Sequence, residues 1–430
     1  MADDTNDVEI SIQRQLELLL LQSPSNHCIY RIPNHLRKIK RECYEPLFVS
    51  IGPYYYKNKT LKSSHELKLR HLQSFLSFNT RTNGPNSKSL GHFIEIIRGY
   101  ENEIRCYYAE KPSLSSNQFV EMVMVDAAFI IYFFMWSCPQ FSLRTHPMNN
   151  KFDVMIQIQQ DLFILENQLP FFVLDHLYDE AFGEAYPNLT FKDVTCAFIG
   201  ETFFPGREAS RTTGRDRVKN TSNIKHLVDF LNICCLPSKL RYQLPIKTEN
   251  PLDSDEFPQT VKELKTIGVK FIAEGSENLL DITFSEGMLR IPTLTLQDST
   301  EAVVRNMSFF EQCYSFHDSY LVDYLFLLDA LIQTPEDVQI LVQHGIIKHW
   351  LGSNEEVAKF FNQITKNLIM RNPGFYYAQL SHDLNEFSGK KKLGKPLLGR
   401  DYLNHHKSIK FFTSLVPLLG LIFALQLYKK

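Results

Sequence analysis

The sequence predicts a mainly α protein: one large helical domain with a small antiparallel β patch and a hydrophobic C-terminal helix. Three observations carry that prediction. Apolar residues recur at helical spacing along most of the 430 residues. Several of those runs are preceded by Ser/Thr-x-x-Glu/Gln starts, which satisfy the free amides of a first helical turn. One run, Phe119 to Trp136, is apolar on nearly every side, as a helix at the centre of a bundle is. The chain is 44% apolar with 33 Phe, enough to bury a large core and to make wide helix–helix contacts. A net charge of -2, from 46 basic and 48 acidic residues, leaves no global footprint for nucleic acid.

Residues 1–27 read as an N-terminal extension. Its first residues are acidic and lack the basic-then-apolar order of a signal peptide. Ile12, Leu16, Leu19 and Leu20 then form a helical stripe. A single helical domain is expected over residues 28–390. Leu67, Leu72, Phe75 and Leu76 line one of its helices, with Ser63-Ser-His-Glu66 as a capping box. Ser115-Ser-Asn-Gln118 caps the central run. The companion of that run is Asp161 to Leu174, which reads as buried helix, ended or kinked at Pro170. It contains the polar triplet Glu166-Asn167-Gln168. Burying three such side chains costs free energy unless each finds a partner, so the triplet either knits the fold together or forms a site.

Residues 201–222, rich in Arg, Thr and Gly, and residues 237–258, with four Pro, read as surface loops or insertions. Val269 to Phe271, Leu280 to Phe284 and Met288 to Ile291 form the β patch, and Ser285-Glu-Gly287 suits a hairpin turn. Helices resume at Asp298-Ser-Thr-Glu301, at Thr334-Pro-Glu-Asp337 (with Gly345 ending that helix) and at Ser353-Asn-Glu-Glu356. Val357, Phe360, Phe361 and Ile364 make the apolar face of the last. Residues 391–410 are a basic linker. Residues 411–428 carry no charge, and 13 of them are apolar. At about 1.5 Å per residue that stretch is ~27 Å long, close to a hydrocarbon core, so it is expected to span a membrane. The larger basic flank lies upstream, which by the positive-inside rule puts the body in the cytosol. The competing expectation is a soluble scaffold whose last helix packs on the body.

Reactive motifs are scarce. The eight Cys show no Cys-x-x-Cys or zinc-finger spacing, which suits buried thiols in a reducing compartment. Gly389-Lys-Lys-Lys-Leu-Gly394-Lys395-Pro396 nearly matches a phosphate-binding loop, but Pro396 replaces the hydroxyl residue that would hold magnesium. His65, Glu66 and His71 read as a solvated helix surface, since His65 and His71 do not share a face. No metal or cofactor site is expected. Asp126, Asp161, Glu166 and Glu311 are candidate buried carboxylates. They are expected to accept bonds from amides or to pair with Arg such as Arg105 or Arg305; an acid–base site around Asp126 and Glu166 is the alternative. Four Asn-x-Ser/Thr sequences, at Asn58, Asn188, Asn220 and Asn306, are no more than 25 Asn provide by chance.

An ordered set of blocks carries a resemblance. It comprises Ile29-Tyr-Arg-Ile-Pro33, Tyr44-Glu-Pro46, Val49-Ser-Ile-Gly-Pro-Tyr54, Phe119-Val-Glu-Met122, Asp126-Ala-Ala-Phe-Ile-Ile131, Glu166-Asn-Gln-Leu-Pro170, Gly268-Val-Lys-Phe271, Ile291-Pro292, Arg305-Asn306, Glu311-Gln312, Asp337-Val338 and Gly345-Ile346. Together they resemble the plant domain-of-unknown-function-247 family, also called the UPF0481 proteins. The resemblance implies a mainly helical plant protein with a C-terminal membrane segment and no established activity. It further implies a role for some grass members in pollen self-incompatibility, and a body commonly placed outside the cytosol, against the charge argument. This chain departs from the family where Tyr55, Tyr56 and Lys57 replace a His-His-Gly, where Ala127-Ala128 replaces a Gly-Cys, and where Tyr132 replaces an acid. Asp126, Asp161, Glu166, Asn167, Gln168 and Pro170 are thus expected to be structural signature residues. The expected function is non-enzymatic recognition of an unidentified protein partner from a membrane.

Overall fold

The computed structural model describes residues 12–13, 27–61, 63–141, 152–203, 215–240, 257–275, 278–314, 318–370 and 374–392. The stripe from Leu16 to Leu20, the basic linker from residue 393 onward, the apolar tail, residues 204–214 of the first expected insertion and residues 241–256 of the second lie outside these residues. The chain forms two compact units, residues 1–385 and 386–430. The account below concerns the first, whose last helix continues into the second as far as Lys392.

Helices dominate it, as the periodicity predicts. Besides short helices at Asn34–Arg37 and 215–220, they are in chain order α1 (Ser63–Asn83), α2 (Leu90–Cys106), α3 (Ser116–Trp136), α4 (Phe152–Asp161), α5 (Phe171–Phe182), α6 (Phe191–Phe203) and α7 (Leu227–Cys235). After them come α8 (Val261–Thr266), α9 (Thr300–Tyr314), α10 (Tyr320–Leu331), α11 (Pro335–Gln343), α12 (Asn354–Ile364) and α13 (Ala378–Lys392). A capping box closes the start of α3: Ser115 accepts the Gln118 amide while the Gln118 side chain accepts the Ser115 amide. From Phe119 to Met135, α3 buries every residue except Glu121. Among the described residues, α3 is the one helix long and apolar enough to cross a bilayer, but α1, α2, α5 and α6 cover it, as they would a core helix. The Phe load goes into this packing. Phe134 stacks on Phe198 with ring centres 4.0 Å apart, and Phe75 meets Phe93 and Phe182 edge-on at 5.4 and 5.3 Å.

Five expectations need correction. The triplet Glu166-Asn167-Gln168 is not helical: α4 stops at Asp161, and α5 begins only at Phe171, after Pro170. The nine residues between form a buried loop, because their own side chains replace the helical ladder. Gln168 Nε2 donates to the carbonyls of Leu162 and Ile164, and Asn167 Nδ2 donates to that of Asp161. His71 is not on a surface: it is fully buried on α1 beside Lys68, Phe75 and Phe78, whereas Leu67, Leu72 and Leu76 are half-buried. The β patch is mixed. β1 (Lys270–Glu274) runs parallel to β3 (Met288–Pro292), and only β2 (Thr283–Ser285) is antiparallel to β3. A second, parallel pair joins β4 (Leu294–Leu296) to β5 (Ile347–His349). Residues 215–220, expected in a loop, are helical. Finally, of the eight Cys, all free thiols, Cys28, Cys43 and Cys138 are buried, but Cys106 and Cys313 are exposed.

Other local readings hold. Glu286 and Gly287 make the two-residue turn between β2 and β3 with φ of 54° and 72°, the left-handed geometry of a hairpin turn. Thr334 and Asp337 form the capping box of α11, with Pro335 in its first turn. Ser353 caps α12, whose Val357, Phe360, Phe361 and Ile364 face the interior.

Candidate functional site

The loop between α4 and α5 is the hub of the unit. Its polar side chains reach backward more than a hundred residues to bind the segment 27–61. Asp161, at the end of α4, accepts the backbone amides of Leu47, Phe48 and Val49 at 2.8, 2.7 and 2.7 Å. Asn167 accepts the Ile51 amide at 2.7 Å and donates to the Val49 carbonyl at 3.0 Å. Gln168 accepts the Leu227 amide at 3.0 Å, which ties the loop to the start of α7. Asn306 on α9 completes the clamp: its oxygen accepts the Leu165 amide, and its nitrogen donates to the carbonyls of Cys43 and Ala302. Segment 27–61 has little regular structure, so side chains satisfy the backbone groups that a sheet or helix would otherwise pair.

Glu166 is the most heavily bonded of the four candidate carboxylates. Its side chain is sealed from solvent. It accepts the Ile32 amide at 2.5 Å, the Tyr55 hydroxyl at 2.6 Å, Arg31 Nη1 at 3.3 Å and Arg37 Nη2. Burial, with the Glu166 charge beside it, holds the Tyr55 phenol well above its usual range, so Tyr55 stays a donor. Asp126 on α3 pairs with Lys68 of α1 at 2.5 Å and accepts the Gly52 amide at 2.8 Å. Burial raises the Asp126 carboxyl, and Lys68 and Gly52 pull it back. Burial likewise raises Asp161 to about 6 against the pull of its three amides. Gly52 has a φ of +71°, and a Cβ there would lie 2.5 Å from the Gln168 carbonyl oxygen, so no side chain fits.

Glu311 sits apart from the hub. It accepts the Leu321 and Val322 amides at 3.1 and 3.0 Å, capping α10 from α9 through space. Burial raises its carboxyl to about 8. His226 is buried too. Its ring caps α7 by accepting the Asp229 amide, it bonds the Cys28 carbonyl, and burial lowers it to about 3.

The six expected signature residues therefore share one buried region: Pro170 is the N-cap of α5, and the others form the bonds just described. Their expected Arg partners are elsewhere. Arg105 pairs with Glu101 and lies 3.9 Å over the Phe119 ring, and Arg305 pairs with Glu301. Sequence reasoning missed Lys68, Arg31, Arg37 and Asn306 as the actual partners. Lys68 carried a readable signal, since it falls on the same α1 stripe as Phe75. The phosphate-loop-like segment begins inside α13, at Gly389, and its remainder, like His405-His406, lies outside the described residues.

One open groove of about 610 Å³ lies above the Glu166 contacts. It is lined by Arg31, Ile32, Pro33, Asn34, Arg37, Glu45, Tyr55 and Glu110; Glu166 itself is beneath them. Its charges are paired: Arg31 with Glu110 at 3.2 Å and Arg37 with Glu45 at 3.1 Å. The Arg31 guanidinium also stacks 4.1 Å over Tyr54. Such a rim offers paired charges and a cationic aromatic face, with neither candidate acid exposed to it.

The chain is 27% identical over 393 residues to the UPF0481 protein At3g47200 of Arabidopsis thaliana, covering 87% of this chain and 80% of that one. It is 21% identical over 519 residues to the putative UPF0481 protein At3g02645 of the same plant, covering 99% and 94%. No solved structure matches. Residues 29–423 match the family model described as a plant protein of unknown function, and the chain belongs to that family, DUF247.

Proposed function

We propose that this plant protein is non-enzymatic and acts by recognising other proteins from a membrane. The burial of its acids is the observation that carries the first part. Glu166 is 0% exposed and Asp126 and Asp161 1%, and all three spend their oxygens on amides, a lysine, arginines and a tyrosine of the fold. A general acid or base must reach a substrate proton, and these do not. The groove over Glu166 supports the second part: an open, charge-paired rim with Arg31 on Tyr54 resembles a recognition surface more than an enclosed pocket. Attachment is assigned to residues 411–428, on their apolar length and basic flank.

The test is proximity labelling in plant cells with the tag on each terminus, comparing wild type with an Arg31→Ala/Glu110→Ala double variant. A neighbour set that shrinks in the variant while the protein stays folded is expected. An unchanged set discards the groove, and release of the protein by carbonate washing discards the anchor.

A further inference from the structure

Asn306-Met307-Ser308 is an N-glycan acceptor sequence placed where the fold cannot carry a glycan. All three residues are buried, with Asn306 and Ser308 at 0% exposure. By contrast, Asn58, Asn188 and Asn220, which head the other three acceptor sequences, are exposed. The Asn306 amide nitrogen spends both hydrogens, on the Cys43 carbonyl at 2.8 Å and the Ala302 carbonyl at 2.7 Å. Glycan transfer forms a bond from that nitrogen to the anomeric carbon of a lipid-pyrophosphate-linked oligosaccharide. It breaks the anomeric carbon–phosphate bond and releases the lipid pyrophosphate with one amide proton. The modified residue would lose one of its two donated bonds and would have to place a bulky, hydrated sugar between α9 and segment 27–61.

The transferase works in the lumen of the endoplasmic reticulum on chain that has not yet folded, so later burial gives no protection. We propose that the acceptor at Asn306 confines the folded body of this protein to the cytosolic side of the membrane system. The inference stands apart from the recognition role and from whether the tail spans. It uses only the acceptor sequence and the bonds of Asn306.

Two arms test it. In the first, the full chain is expressed in plant cells and treated with a peptide N-glycosidase; no mobility shift is expected, and a glycan on any of the four Asn overturns the inference. In the second, the same chain is routed into the lumen by an added cleavable leader. The wild type is expected to carry a glycan at Asn306 and to be digested readily by protease. The leader-bearing Ser308→Ala chain is expected to be resistant, with glycans on exposed Asn alone. Ser308 donates one bond, to the Val304 carbonyl, so its loss leaves the clamp intact. A leader-bearing wild type that resists protease, with Asn306 modified or skipped, overturns the inference. So does a Ser308→Ala chain as sensitive as the wild type.

Discussion

Lys68 and Asp126 form a buried ion pair at 2.5 Å that joins α1 to α3, with both side chains at most 4% exposed. Each is also held by segment 27–61: Lys68 donates to the Ser50 carbonyl, and Asp126 accepts the Gly52 amide. Removing either partner strands a charge in the core. Lys68→Met and Asp126→Asn should each cost about 3–5 kcal/mol, whereas the double replacement should recover much of the sum. Chemical unfolding of the three variants measures this, and additive losses would mean the two groups do not interact.

Gly52→Ala should be far more harmful than Gly345→Ala. Both glycines have a φ of +71°. A Cβ at Gly345 meets nothing nearer than Ala273 at 3.9 Å, so its cost is the left-handed backbone alone, about 1–2 kcal/mol. At Gly52 the Gln168 carbonyl stands 2.5 Å away, and the hub loop must move. Thermal melts of the pair should separate clearly; equal shifts would show that the loop yields freely.

Asp161→Ala removes the acceptor of three consecutive amides. Stranded buried donors cost about 1–3 kcal/mol each before water enters, so a loss at the upper end of that range is expected. Glu166→Ala belongs to the same class, since the Ile32 amide and the Tyr55 hydroxyl lose their acceptor. Hydrogen exchange should show segment 27–61 opening first. Uniform loss of protection over the whole unit would contradict the hub.

Stability should depend on pH through Glu311 in a defined direction. Its carboxyl is raised to about 8 in the fold, against about 4.3 in an unfolded chain. The folded state therefore holds a proton that the unfolded state has released, so this contribution is full below pH ~4 and is lost as pH rises through about 8. Glu311→Gln should flatten the fall in melting temperature between pH 5 and 8. His226 acts at the other end: lowered to about 3, it destabilises the fold as pH drops below ~6.5. A melting difference between wild type and Glu311→Gln that ignores pH would mean Glu311 is ionised throughout.

Features with local causes were legible in the sequence. The Ser115–Gln118 and Thr334–Asp337 caps, the Glu286-Gly287 turn and the apolar envelope of α3 all follow from neighbours within a few residues. The region of the candidate site was legible as a polar triplet needing partners, but its shape was not. Gln168 and Asn167 undo the helix by bonding their own loop, and the other bonds come from Ile32, Ile51, Leu227 and Asn306, at separations no pattern rule reaches. His71 was misread for a related reason. Its ring nitrogen is satisfied by the Leu67 carbonyl one turn back, which lets an imidazole lie among Phe129 and Phe133.

The reach of those clamps has a bearing on biosynthesis. Ile51 waits 116 residues for Asn167, and Cys43 waits 263 for Asn306. At translation speeds of about 5–20 residues per second, the Ile51 amide waits roughly 6–23 s for Asn167 and the Cys43 carbonyl roughly 13–53 s for Asn306, long after Lys68 and Asp126 have become available to Ser50 and Gly52. For that interval the ribosome displays a leading segment, rich in Leu, Ile and Tyr, whose backbone still lacks several of its native partners.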